Sequence, residues 1–252
     1  MADKQTSRQA DKQFGHNNVS NSSLNHHFKH NNVMLNQVQG DNNIKKAGFT
    51  LAEVLLVITI IGVVASLTIP DLITSIKETQ YIVAWKKSFN QLSAATLNIK
   101  EDNGGSMANF LEGSGLHGAL TAKYASYLIK IKQCNSAGGC WHQSFEWSDL
   151  AGNPVTSAGF SDYGLILNDG SLLRFFNLGD SCTAVNWGIP ACGAIQIDTN
   201  GFKRPNMIGK DIYGVYITKD GLKPWGISGD LFSVTSNCTT KGWTCGVQNL
   251  LK

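Results

Sequence analysis

Lys45-Lys46-Ala47-Gly48-Phe49-Thr50-Leu51-Ala52-Glu53-Val54-Leu55 opens the segment that decides the fold, and the apolar run it introduces closes at Ile69-Pro70. From Leu51 to Ile69 there are nineteen residues and a single charge, Glu53. As a helix this run is about 28 Å long, close to the hydrocarbon thickness of a bilayer. The two lysines before it favour a cytoplasmic N-terminal side, which sends everything after Pro70 outward. An ordinary secretory signal does not fit, because its apolar core is shorter and its small-residue cleavage site follows the core. Here the small residue, Gly48, comes first.

Working back from this run, residues 1–44 are rich in Asn, Gln, Ser and His and show no apolar period. Such a stretch buries too little surface to offset its ordering entropy, so residues 1–48 are expected to be a disordered polar leader. His26, His27 and His30 belong to that solvated text, with no fixed ligand beside them. The leader carries six basic and three acidic residues, whereas 49–252 carries fifteen of each. The net charge of +3 therefore sits wholly in the leader. Without a basic cluster after residue 48, nucleic-acid binding is excluded as an expectation.

Working forward, Ile82, Trp85, Phe89, Leu92, Thr96 and Ile99 recur every three or four residues, with Lys86, Lys87, Asn90 and Gln91 on other faces. One helix from about 50 to 101, kinked at Pro70, is predicted, its outer half covering a sheet. Asn103-Gly104-Gly105 supplies the stop. Beyond it the texture is strand-like. Tyr163–Asn168 and Ser171–Asn177 flank the turn signal Asp169-Gly170, Gly193–Asp198 reads as another strand, and Ile212–Thr218 and Leu222–Trp225 flank Lys219-Asp220-Gly221. A short helix is expected around Leu116–Lys130. The class predicted is α+β: a long N-terminal helix, half membrane and half amphipathic, on a loop-rich antiparallel sheet. The divisions are 1–48, 49–101 and an extracytoplasmic globular part, 102–252.

All six cysteines, Cys134, Cys140, Cys182, Cys192, Cys238 and Cys245, lie on one side of the apolar run. That fits an oxidising compartment and disulfides. Structural zinc prefers ligand pairs two to four residues apart, which these gaps of five, nine and six residues do not supply. Six cysteines allow fifteen pairings; sequential local loops are expected, each carrying or abutting Trp141, Trp187 or Trp243.

The block Lys45–Leu55 resembles the prepilin cleavage and methylation motif of type IV pilins and type II secretion pseudopilins, and the likeness extends over about residues 45–100. The resemblance implies a pilin-like fold, a cut between Gly48 and Phe49 by prepilin peptidase, and N-methylation of Phe49. It implies assembly with other pilin or pseudopilin subunits through the N-terminal helix, on an inner-membrane platform, after residence among membrane lipid as a single-pass protein. Glu53 would meet the Phe49 amine of a neighbouring subunit. Physical reasons stand beside these roles. Gly48 lets a peptidase close around bare backbone, and a carboxylate within an apolar run is costly unless it is used. Thr50 and Glu53 also fit a helix capping box. Gly62 and Pro70 are helix-kink positions. The leader is longer than the family's usual basic peptide, which makes Met34 a candidate start.

Asp198-Thr199-Asn200-Gly201 through Asp211 looks like a loop found in many pilin-like proteins. Asp198, Asn200 and Asp211 offer oxygen ligands suited to calcium, although Gly209 stands where an EF-hand needs Glu. Asx-turns explain the same residues. No catalytic constellation is visible: His117 and His142 are the only histidines after the leader, Gly113-Ser114-Gly115 lacks hydrolase spacing, and Glu101-Asp102 sits at a solvated helix end. The chain is therefore expected to be no enzyme. The rival to a filament subunit is a single-span anchor carrying an exported binding or catalytic domain.

Overall fold

The computed structural model describes residues 48–111, 117–135, 139–156, 163–185, 187–235 and 237–252. The expected leader, apart from Gly48, lies outside the described residues. The chain divides into residues 1–50 and a compact unit from Leu51 to Lys252.

Helix α1 runs unbroken over Leu51–Asp102, 52 residues, or about 78 Å at 1.5 Å per residue. Its sequence explains both halves. The first lacks any polar face, so it has no means of packing one side in water. The second buries Trp85, Ser88, Leu92, Ala95, Thr96 and Ile99 on one stripe, at the three-and-four spacing of a helix lying on a surface. It stops where expected. Asn103 N–H bonds Ile99 O at 3.1 Å and Gly105 N–H bonds Lys100 O at 2.8 Å. Gly104 and Gly105 take φ of 70° and 90°, the left-handed geometry that ends a helix at little cost for glycine.

Six strands follow in one antiparallel meander of order β1 to β6: β1 Lys130–Cys134, β2 Gly164–Leu167, β3 Leu172–Asn177, β4 Gly193–Asp198, β5 Ile212–Thr218 and β6 Gly221–Pro224. The two tight turns are those the sequence marked. At the first, Gly170 has φ 86°, Asp169 Oδ1 accepts Ser171 N–H at 3.1 Å, and Lys87 of α1 reaches Asp169 at 2.7 Å. At the second, Lys100 Nζ donates to Asp220 O at 3.1 Å. Among the described residues three short helices complete the fold: α2 His117–Ala125, α3 Leu231–Thr235 and α4 Cys245–Leu251. The helix expected over 116–130 is shorter than its pattern suggested, because Lys130 already pairs with Leu167 in the sheet.

One face of the sheet, built from Leu173, Phe175, Ile195, Ile197, Tyr213, Val215 and Ile217, packs with Trp85, Leu92, Ile99, Leu120 and Tyr124 of the helices. The other face is covered as well. Phe176, Ala194, Tyr216 and Trp225 form a second core with Trp187, Phe232 and Trp243, and Trp147, Ile208 and Ile212 a third with Trp141. Loops supply that layer, so β3, β4 and β5 are buried along nearly their whole length. Gly214 shows how close the layer lies. A Cβ there would stand 2.1 Å from the Trp225 ring, so only glycine lets the indole rest on β5.

Candidate functional site

The N-terminal site is built from chain order and exposure. Gly48, Phe49 and Thr50 precede the first helical residue, and Phe49 is 88% exposed. Thr50 therefore occupies the N-cap position and Glu53 the third helical position, the two places of a capping box. Beyond them an apolar surface from Leu51 to Ile76 stands exposed, uncovered by the other described residues. The helix assignment continues without a break through Gly62 and Pro70, although proline has no N–H for the carbonyl four residues earlier.

The hydroxyls within this apolar stretch are turned inward. Thr59 donates to Leu56 O at 2.7 Å, Ser66 to Val63 O at 2.8 Å, Thr68 to Val64 O at 3.1 Å and Thr74 to Pro70 O at 3.0 Å. Each polar hydrogen is satisfied by the helix itself, which is what an apolar surrounding demands of it. Among the described residues this is the one helix long and apolar enough to cross a membrane.

The cysteines stand in three bonded pairs, Cys134–Cys140, Cys182–Cys192 and Cys238–Cys245. They staple loops to the end of β1, to the residue before β4 and to the start of α4. Cys245 contributes to the main core with Trp85 of α1, so the third bond ties a loop to the start of α4, which packs against the long helix.

The loop from Asp198 to Asp211 joins β4 to β5 and gathers Asp198, Asn200 and Asp211. Asp198 Oδ1 accepts Asn200 N–H at 3.0 Å, an Asx-turn. Asp211 accepts Asn206 N–H at 2.9 Å, Met207 N–H at 2.6 Å and Asn200 Nδ2 at 2.9 Å. The remaining Asp198 oxygen meets His142 Nε2 at 2.7 Å, with both side chains almost wholly buried. His142 lies 56 positions away in a loop without secondary structure, and nothing local in the sequence announces the pairing. Among the described residues no group of three or more His, Cys, Asp or Glu converges as a metal centre would. His117 serves as an acceptor, its Nδ1 taking Asn177 N–H at 2.7 Å.

Burial pushes the Asp198 carboxyl from its ordinary 3.8 up to about 7, with the His142 hydrogen bond opposing and the Asp211 charge adding to the rise. The native state thus keeps a proton that the unfolded chain has released between those two values. This group's stabilisation is full at the acid end and is lost as pH rises toward about 7, at up to about 1.4 kcal/mol per pH unit. Asp198→Asn should remove that slope. Thermal melts of the detergent-solubilised protein across this interval should show the variant gaining on the parent as pH rises; parallel profiles would contradict the assignment. A shift of the same melts on adding calcium or a chelator requires a cation that displaces His142 or the loop amides.

Residues 43–69 match the family model of the prokaryotic N-terminal methylation motif. No curated protein matches the chain, and no solved structure does. The motif belongs to a structural, not an enzymatic, class. It implies processing by prepilin peptidase and assembly with other pilin subunits, and with the apolar helix it makes this a membrane-anchored protein. Methylation motif, long helix and antiparallel sheet together support a prepilin-type protein, similar to the type IV pilins and pseudopilins.

Proposed function

We infer that the protein is a filament subunit, a minor pilin or pseudopilin of a type IV pilus or a type II secretion filament. In this reading prepilin peptidase cuts between Gly48 and Phe49, Phe49 becomes N-methylated, and the disulfide-stapled domain lies outside the cytoplasmic membrane. The protein has no catalytic task. The observation that carries the reading is the exposed apolar half of α1, most of which lies within the matched motif. A bilayer satisfies that surface before assembly, and the same half of neighbouring helices can satisfy it within a filament.

Glu53 gives the reading its selectivity. A carboxylate at the third helical position lies within the apolar surface, where an opposite charge from a neighbour lowers its cost. The Phe49 amine freed by cleavage is such a charge. Glu53→Ala should leave membrane insertion and Gly48–Phe49 cleavage intact and reduce assembled filament by at least about tenfold, a loss of about 1.4 kcal/mol or more per contact. Shearing followed by immunoblotting separates filament from membrane-held subunit. Undiminished filament from the variant would leave the anchor-with-domain reading in its place.

A further inference from the structure

Two adjoining grooves flank α1 just beyond the apolar run. One, of about 330 Å³, is lined by Thr74, Lys77, Glu78, Tyr81, Arg204 and Lys210. The other, of about 250 Å³, continues from the shared Glu78, Tyr81 and Lys210 toward Asn249 and Lys252. Four cations therefore border this surface, with Glu78 the one acid among the lining residues. The ion pairs among the described residues are Lys87–Asp169, His142–Asp198 and Lys241–Asp149, and none uses these four cations. Asp211, next to Lys210, is already bound by the amides of Asn200, Asn206 and Met207.

The depth of the grooves names their occupant. Thr74 and Lys77 lie about 8 and 12 Å past Ile69 along the helix axis. The headgroup layer extends roughly 5–8 Å beyond the hydrocarbon, and a lysine side chain can bend several ångströms toward it. Leu72 and Ile73 are exposed between the run and the groove, and Ile76 beside the groove, which draws the helix deeper still. The mouth of the basic surface thus falls at the level of lipid phosphates, next to where acyl chains would contact α1. Soluble phosphate shares the charge but has no tail to lay on those apolar side chains. A zwitterionic headgroup would bring its own ammonium against four cations.

We propose that this surface holds the phosphate headgroup of an anionic phospholipid while the protein resides in the membrane. The lipid would seat the underside of the domain on the leaflet before assembly. The inference rests on the reading of α1 as membrane-inserted.

The test uses the full chain reconstituted into vesicles of equal phosphatidylglycerol and phosphatidylcholine, then native mass spectrometry of the retained lipid. The parent should retain phosphatidylglycerol by about tenfold over phosphatidylcholine, as a few basic residues worth about fivefold each at an anionic surface permit. Lys77→Gln/Arg204→Gln/Lys210→Gln should bring the two lipids to parity with an unchanged thermal melt. Arg204→Gln alone, at an exposed side chain, should reduce the preference severalfold if the triple variant loses its melt. Inserted parent with no preference, or variants that keep it, would overturn the proposal while leaving the membrane reading intact. Displacement by millimolar inorganic phosphate would overturn the lipid assignment in favour of bare phosphate. Failure of the parent to float with vesicles of either lipid would overturn the membrane reading and the groove together.

Discussion

Gly48→Phe should leave the precursor uncut, so that the full-length form replaces the mature chain on a denaturing gel. The expected loss of product is at least about a hundredfold. A peptidase must close on extended backbone at the scissile bond, and glycine offers no side chain to obstruct it. Gly48, Phe49 and Thr50 lie outside any helix and exposed, so the substitution disturbs no packing in the described structure. A Cβ at Gly48 would meet nothing within 4 Å. The effect, if seen, therefore belongs to recognition rather than folding. Co-expression with a prepilin peptidase and intact-mass measurement settles it. Normal processing of the variant would show that Gly48 is not the cleavage-site glycine and would remove the basis for a freed Phe49 amine.

The largest stability effect is expected at Trp85. Its side chain is 0% exposed, its Nε1–H donates to Gly246 O at 2.9 Å, and its ring stacks on Tyr213 with centroids 4.5 Å apart. One side chain thus joins α1, β5 and α4. Trp85→Ala removes the packing and leaves the Gly246 carbonyl without its indole donor. Losses of about 3–5 kcal/mol are usual for a buried Trp→Ala change. For a domain of this size that lowers the melting temperature by about 10 °C. Trp85→Phe keeps much of the stack and loses the hydrogen bond, so it should cost about 1–2 kcal/mol. A Trp85→Ala melt within about 2 °C of the parent would show that the domain does not depend on this contact.

The long helix and the central strands were legible because their signals are local. An uninterrupted apolar run, a stripe of one period and an Asn-Gly-Gly stop define α1 without reference to the rest of the chain. Asp169-Gly170 and Asp220-Gly221 do the same for two hairpins. The edge strand β1 was not legible. Lys130-Ile131-Lys132-Gln133 is exposed for three of those positions, so burial imposed no alternation on it. The aromatic layer was hidden for a different reason. Arg174 and Gln196 sit opposite each other on β3 and β4 as polar residues, yet both are buried, on strands covered by loops from elsewhere in the sequence. The motif residues of the N-terminal site were named through a resemblance carried by one contiguous block, whereas the His142–Asp198 contact had no such local signal, since it depends on the tertiary path of an irregular loop.

The clasp between Trp85 and Gly246 also sets an order of events. The sheet is a meander in which every strand pairs with its neighbours in sequence, so it can grow as successive segments become available. Its attachment to α1 cannot. The indole donates across a separation of 161 residues, to a segment that follows every strand. The contact between α1 and the domain would therefore stay open, half-dressed by the sheet, until α4 was in place. A chain ending before α4 would leave the Trp85 indole without its acceptor, so α4 acts as the seal on the domain.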